Sequence, residues 1–268
     1  MPASEAVDPA AMAARLATHV REAGALALSM FGTAVKNWTK GESSPVSEAD
    51  IKVDRLLRER LHGEGKSFGW LSEESVDDPA RLTARHVWIV DPIDGTRAYL
   101  AGEPDWAVSA ALVEAGRPIA ACLFAPVLEA FFVAGAGMGA TRNGVAITAT
   151  PGASLTRARV AGPKRFLERL GAVAPSLEIM PRMHSLALRL ARVAEGTYDA
   201  AIAGANSHDW DLAAADLLVH EAGGTLSSLG GGTIVYNCPV PRHGMLLAAG
   251  RDRHAALVKL FGDERLAS

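Results

Sequence analysis

Apolar residues recur along this chain in two rhythms. Over residues 11–30 they fall at Met12, Leu16, Val20 and Leu26, the spacing of one helical face. Asp8-Pro9 just ahead supplies an N-cap and a proline for the first helical position. Ser47-Glu48-Ala49-Asp50 has the form of a capping box, and residues 51–61 continue it as a second helix. Helices are also predicted over 186–195, closed by Gly196, over 212–221, closed by Gly223-Gly224, and over 252–260. The second rhythm is the short, uninterrupted apolar run. Val87-Trp88-Ile89-Val90 reads as a buried strand, and 106–114, 119–124 and 131–133 read as further strands of one sheet. Asn143-Gly144 marks a tight turn, and Lys40-Gly41-Glu42-Ser43-Ser44-Pro45 a polar loop. Helix and strand alternate without internal repeats, which predicts a layered α/β or α+β protein. The Thr-, Pro-, Gly- and Ser-rich stretch 148–154 marks a weak boundary between halves 1–150 and 151–268.

Composition narrows the partners. The chain has 268 residues, 49% hydrophobic and 21% charged, which excludes a disordered protein and allows a sizeable core. A formal net charge of -3 gives no general attraction to nucleic acid or to an anionic membrane. The most apolar region, 119–140, is interrupted by Pro126 and Glu129, so no membrane span is expected. The N-terminus lacks the basic start and apolar stretch of a signal peptide. Cys122 and Cys238 belong to no CxxC pattern and read as free thiols of a reducing cytosol, so a cytoplasmic protein is expected.

The chemistry concentrates in Trp88-Ile-Val-Asp91-Pro-Ile-Asp94-Gly-Thr96. A buried strand delivers Asp91 to its carboxyl end, where Pro92 forces a turn that brings Asp94 round to face it. Two carboxylates and the Ile93 carbonyl form a hard-oxygen set suited to Mg²⁺. Gly95 and Thr96 then open a short helix, whose free N–H groups suit phosphate. Further acids stand apart in the sequence. Taken alone, Glu73-Glu74 reads equally as an exposed acidic pair, Asp211 as the N-cap of the helix it opens, and Asp50 as half of a capping box. A cluster of four such carboxylates would stay partly protonated unless cations joined it.

Together these segments resemble the inositol monophosphatase superfamily. Its W-x-x-D-P-[IL]-D-G-T signature is matched by residues 88–96, and its W-D-x-A-A-x-x-[IL]-x-x-E-A-G-G signature by residues 210–224. Its acidic G-E-E segment corresponds to Ser72-Glu73-Glu74, and its S-P-V-T-x-A-D segment to residues 44–50. The resemblance implies a layered αβαβα sandwich of the α+β class and a mechanism with two or three Mg²⁺ ions. By motif position, Glu73, Asp91 and the Ile93 carbonyl would hold one ion, and Asp91, Asp94 and Asp211 another. A third, looser ion would sit near Glu73. Thr96 and Asp50 would orient and deprotonate the attacking water, and the amides of Gly95 and Thr96 would bind phosphate. The N-terminal half would thus carry most metal ligands, and the C-terminal half Asp211 and the pocket wall. Lithium inhibition and homodimers are further implications.

The chain also departs from that pattern. The usual threonine before the A-D pair is Ser47. Inositol-specific members place a substrate-binding glutamate seven residues ahead of the last metal aspartate, where this chain has Gly204. The usual G-[ST] segment appears as His184-Ser185, so His184, with Ser185 and Asn206, is a candidate for the substrate pocket, although a surface histidine ahead of a helix fits as well. The segment 96–106 looks more like the 3'(2'),5'-bisphosphate nucleotidase and histidinol-phosphatase branches. The expected activity is therefore Mg²⁺-dependent hydrolysis of a small phosphorylated metabolite. A bisphosphate nucleotide leads, and inositol 1-phosphate and histidinol phosphate are the alternatives. Two other classes compete. Gly135-Ala-Gly-Met-Gly139 lacks the spacing of a dinucleotide loop, and a non-enzymatic regulator of this fold would normally lack one metal carboxylate, whereas none is missing here.

Overall fold

The computed structural model describes residues 7–41, 44–62 and 68–262. Helix α1 (Pro9–Met30) begins at the expected signal, with Asp8 Oδ1 accepting from the Ala10 amide at 3.0 Å. Strands β1 (Asn37–Lys40) and β2 (Ser44–Ser47) pair antiparallel where the sequence predicts only a polar loop. All of β1 is exposed, so no apolar alternation marks it as a strand; Glu42 and Ser43 of that expected loop lie outside the described residues. Helix α2 (Glu48–His62) follows directly, because Ser47 and Asp50 form the capping box: Asp50 Oδ2 accepts from the Ser47 amide at 2.8 Å, and Ser47 Oγ accepts from the Ala49 amide at 3.2 Å.

A seven-stranded sheet comes next, in chain order: β3 (Gly69–Ser72), β4 (His86–Asp94), β5 (Ala107–Glu114), β6 (Arg117–Ala125), β7 (Ala130–Gly135), β8 (Ala140–Arg142) and β9 (Val145–Ala146). The short helix α3 (Thr96–Ala101) lies between β4 and β5. Only the β3–β4 pair is parallel. Both faces of this sheet are covered, which is why its strands read as continuous apolar runs. Trp88, Val90, Val108, Ala110 and Leu112 pack under α1 and α2, while Val87, Ile89, Ala111 and Val113 face the other way.

The remaining chain builds a second sheet. Its elements are β10 (Arg159–Ala161), α4 (Lys164–Val173), β11 (Glu178–Ile179), α5 (Leu186–Ala194), β12 (Ala200–Ala203), β13 (Ser207–His208), α6 (Asp209–Glu221), β14 (Gly224–Ser228), β15 (Arg242–His243), β16 (Leu246–Gly250) and α7 (Arg251–Phe261). Five strands line up in the order β11-β10-β12-β16-β14. Helices α5 and α6 fill the space between the two sheets, sharing one core with the inner faces of β4–β8, β12, β14 and β16. Helices α4 and α7 cover the outer face. The layers therefore run αβαβα, an α+β sandwich. Helix α6, in the middle layer, is buried from Leu212 through Val219, so its apolar residues run all round it rather than along one stripe. No described helix is long and apolar enough to cross a membrane.

Candidate active site

The ladder between β4 and β5 pairs Asp91 with Ser109 and next Asp94 with Ala107, skipping Pro92 and Ile93 as a bulge. Proline cannot donate to the ladder, so the strand gives way there. Asp91 Oδ1 accepts from the Ile93 amide at 3.1 Å, which tightens the turn. Asp94 is held from the far half of the chain: its Oδ2 accepts from Ser185 Oγ at 2.5 Å and from the Ala187 amide at 2.6 Å. Ser185 caps α5, so Asp94 sits on the free amides and positive dipole of that helix. Asp211 comes from the first turn of α6. The sequence suggests it as an N-cap, but His208 takes that place and Asp211 is the third helical residue, its Oδ2 accepting from the His208 amide at 2.7 Å. One carboxylate oxygen each from Asp91, Asp94 and Asp211 lies within 4.8 Å of the others.

Glu73 stands at the end of β3, its amide donating to the Val90 carbonyl at 3.3 Å. It lies outside that trio, but its charge raises the Asp91 pKa and Asp211 raises its own. Burial is the larger cause throughout. It pushes Asp91 well above the carboxylate range, lifts Glu73 to about 8 and Asp211 to about 7, and raises Asp94 against the opposing bond from Ser185. Lys40, from the β1–β2 hairpin, donates to the Glu73 carbonyl and pairs with Glu74 at 3.2 Å. Nothing in the polar sequence around Lys40 announces this contact. Buried carboxylates that raise one another's pKa are the donor chemistry of a hard divalent cation, and the set fits one.

Gly95 has φ +96, and a Cβ there would lie 2.9 Å from the Asp105 carbonyl and 3.2 Å from the Ser185 amide, so only glycine fits. Thr96 Oγ1 lies 3.1 Å from Asp50 Oδ1 and 3.0 Å from the Ile93 carbonyl. Asp50 is 1% exposed, and burial raises its pKa against the two bonds from Ser47. Gly95 and Thr96 open onto a cavity of about 950 Å³. Its walls include Arg97, Lys164, Arg182, Arg189 and His184, and the apolar Leu167, Ile179, Met180 and Met183. Glu168, the one carboxylate of the lining among the described residues, lies 3.7 Å from Lys164, so the described walls are net cationic. Of the residues expected in the pocket, His184 lines it. Ser185 is buried against Asp94, and Asn206 sits in a left-handed turn with its amide bound to the His243 carbonyl at 2.9 Å, neither being part of the lining. Beside the cavity, His184 Nδ1 is 3.3 Å from both Glu103 and Asp105, and Asp105 Oδ2 accepts from the His184 amide at 2.5 Å. No sequence motif singles out Asp105 or Arg189; an arginine inside the apolar run of α5 is the available signal for the latter.

An αβαβα sandwich with buried carboxylates beside a cation-lined cavity defines a metal-dependent phosphatase. The chain belongs to the inositol monophosphatase family, whose model matches residues 8–265. It is 34% identical over 205 residues to an inositol-1-monophosphatase of Rhizobium meliloti, covering 72% of this chain and 75% of that one. It is 35% identical over 205 residues to a histidinol-phosphatase of Mycobacterium tuberculosis (72% and 77% covered), and 28% identical over 209 residues to the 3'(2'),5'-bisphosphate nucleotidase CysQ of Aggregatibacter actinomycetemcomitans (74% and 77%). Among solved structures, the extragenic suppressor protein suhB of Bartonella henselae superposes with a TM-score of 0.83 at 28% identity, over 95% of this chain and 99% of that one.

Proposed function

We propose that this phosphatase uses Mg²⁺ to hydrolyse 3'(2'),5'-bisphosphate nucleotides or compounds very like them. The observation that carries the substrate reading is the cavity beside Gly95 and Thr96. It is far larger than one phosphate needs, and it pairs Arg97, Arg182 and Arg189 with an apolar wall of Leu167, Ile179 and Met180. Cations suit a second anionic group, and the apolar wall suits a base. Gly204, in place of the hydroxyl-binding glutamate, removes the feature that would favour a polyol.

Asp91, Asp94 and Asp211 would hold one ion; Glu73, Asp91 and the Ile93 carbonyl a second, with a third, looser one near Glu73. Bound ions acidify water and offset the charge of the phosphate and the leaving alkoxide. The residues themselves orient and accept. Thr96 Oγ1, donating to Asp50, keeps lone pairs free to accept from a water, and Asp50 takes up the proton that this water loses. The amides of Gly95 and Thr96 face the transferred phosphoryl oxygens. Histidinol phosphate is the second reading, because its amine would suit the Glu103 and Asp105 carboxylates beside His184. Phosphate release from a panel of adenosine 3',5'-bisphosphate, inositol 1-phosphate, histidinol phosphate and fructose 1,6-bisphosphate decides between them. The nucleotide is expected to give the highest kcat/KM, and a tenfold preference for any other member would contradict the substrate reading.

A further inference from the structure

Helix α5 sets Arg189 among the buried Ala187, Leu188, Leu190 and Ala191, with a second arginine, Arg192, one turn further on. An arginine carries five N–H donors and stays charged at any physiological pH. Arg189 makes one hydrogen bond among the described residues, from Nη1 to the Ile202 carbonyl at a long 3.4 Å. Its Nε is buried with no acceptor. Among the described residues, the carboxylate whose charge acts on it is Asp94, which already accepts from Ser185 and Ala187 and belongs to the acidic corner. The Arg189 side chain is half-buried and lines the cavity, so donors left without a protein acceptor are available to a ligand there. Arg189 lines the 950 Å³ cavity together with Gly204. At Gly204 an added Cβ would meet only Pro163, at 3.8 Å, so there is open space at this part of the wall.

We propose that Arg189 is a specificity-determining residue that takes the second anionic group of the substrate, the phosphate carried by the leaving group. This deepens the bisphosphate reading above and rests on it. The planar fork of a guanidinium matches two phosphate oxygens, so it selects for a tetrahedral dianion over a hydroxyl. When Asp94 serves the metal corner, the second phosphate becomes the counter-charge that Arg189 otherwise lacks.

The test uses substrate pairs that share a scissile bond and differ only in the second phosphate: adenosine 3',5'-bisphosphate against adenosine 3'-monophosphate, and fructose 1,6-bisphosphate against fructose 1-phosphate. In Arg189→Gln the kcat/KM ratio of bisphosphate to monoester should fall about 30-fold, the loss of one charge-assisted pair, mostly through KM. Arg189→Lys should recover part of it. Gly204→Glu, which sets a carboxylate in the open space, should lower the same ratio. The melting temperature of Arg189→Gln should stay close to that of the wild type, because the side chain is half-buried and makes only one long hydrogen bond among the described residues. An unchanged ratio in Arg189→Gln, while the wild type still prefers the adenosine bisphosphate, overturns the Arg189 assignment and leaves the nucleotidase reading standing. A wild type that prefers only the sugar bisphosphate, with that preference lost in Arg189→Gln, overturns the nucleotide reading and keeps Arg189. Indifference to the second phosphate in both pairs overturns both, and a drop in melting temperature with equal loss on both members of a pair marks Arg189 as merely structural.

Discussion

Glu73, Asp91, Asp94 and Asp211 are held close together with little cationic compensation, and their titration should report it. Glu73 and Asp211 rise from 4.5 and 3.8 to about 8 and about 7. A carboxyl whose folded pKa is raised binds its proton more tightly in the fold than in the unfolded chain. Its stabilising effect is complete below the unfolded pKa and is lost as pH rises through the folded one. The metal-free protein should therefore melt at a lower temperature at pH 8.5 than at pH 7.5, a window that spans the Glu73 titration and lies above both the folded and the unfolded titrations of His62, His208 and His254, whose folded values are lowered from 6.5. Glu73→Gln should flatten that slope, and saturating Mg²⁺ should abolish it; a melting temperature that rises across the window would contradict the shifts. Substitution separates the roles within the corner. Asp94→Asn should lower kcat more than about 100-fold with an unchanged circular dichroism spectrum, since one amide oxygen can still accept from Ser185 or Ala187. Asp50→Ala should lower kcat more than it weakens Mg²⁺ binding by calorimetry. A loss of thermal stability with kcat intact would return Asp50 to its helix-capping role.

The elements that present these side chains were unequally legible. The turn at Asp91–Asp94 could be read directly, because a buried strand, a proline and a glycine are each strong local signals. The capping box at Ser47–Asp50 was legible as a helix start, and the structure adds that Asp50 turns its second oxygen to Thr96. Strands β12 (Ala-Ala-Ile-Ala) and β16 (Leu-Leu-Ala-Ala-Gly) were not, since alanine has little strand preference and only their place between layers of helices makes them strands. Strand β1 escaped for the opposite reason, because all four of its residues are exposed. Convergence of Asp211 on Asp91 and Asp94 depends on α6 lying between the sheets, which no local pattern states; the family signature carried that expectation. The turn after Asp94 depends most sharply on one position. Gly95→Ala imposes a left-handed φ on a side chain and a 2.9 Å approach to the Asp105 carbonyl. It should cost about 3 kcal/mol in urea unfolding and most of the activity. Wild-type stability in that variant would show that the turn is not as tightly fixed as its contacts indicate.

Across the whole molecule, contacts outside the acidic corner tie together segments distant in the chain. Arg81 is 2% exposed. It pairs with Asp77 through Nε and Nη2 at 2.6 and 2.9 Å and reaches across to Asn237 Oδ1 and the Cys238 carbonyl at 2.7 and 3.1 Å. Asn237 in turn donates its backbone amide to the buried Asp209, in the first turn of α6 with Asp211. Arg81→Ala should cost about 2–3 kcal/mol of stability, because it leaves Asn237 Oδ1 and the Cys238 carbonyl without this donor while Asp77 is half-exposed, measured by urea unfolding, with kcat of the folded fraction within about twofold of wild type. A large loss of kcat at full stability would mean that this strap shapes the site rather than the fold. The account as a whole stands on the acidic corner acting through a divalent ion. Its most direct test is phosphate release from a simple monoester titrated with Mg²⁺ after chelation, with the wild type and Asp211→Asn side by side. Release should be absent without metal, should rise to saturation with Mg²⁺ in the wild type, and should stay more than about 100-fold lower in the variant at every concentration. Metal-independent release, or a variant that follows the wild-type curve, would contradict it.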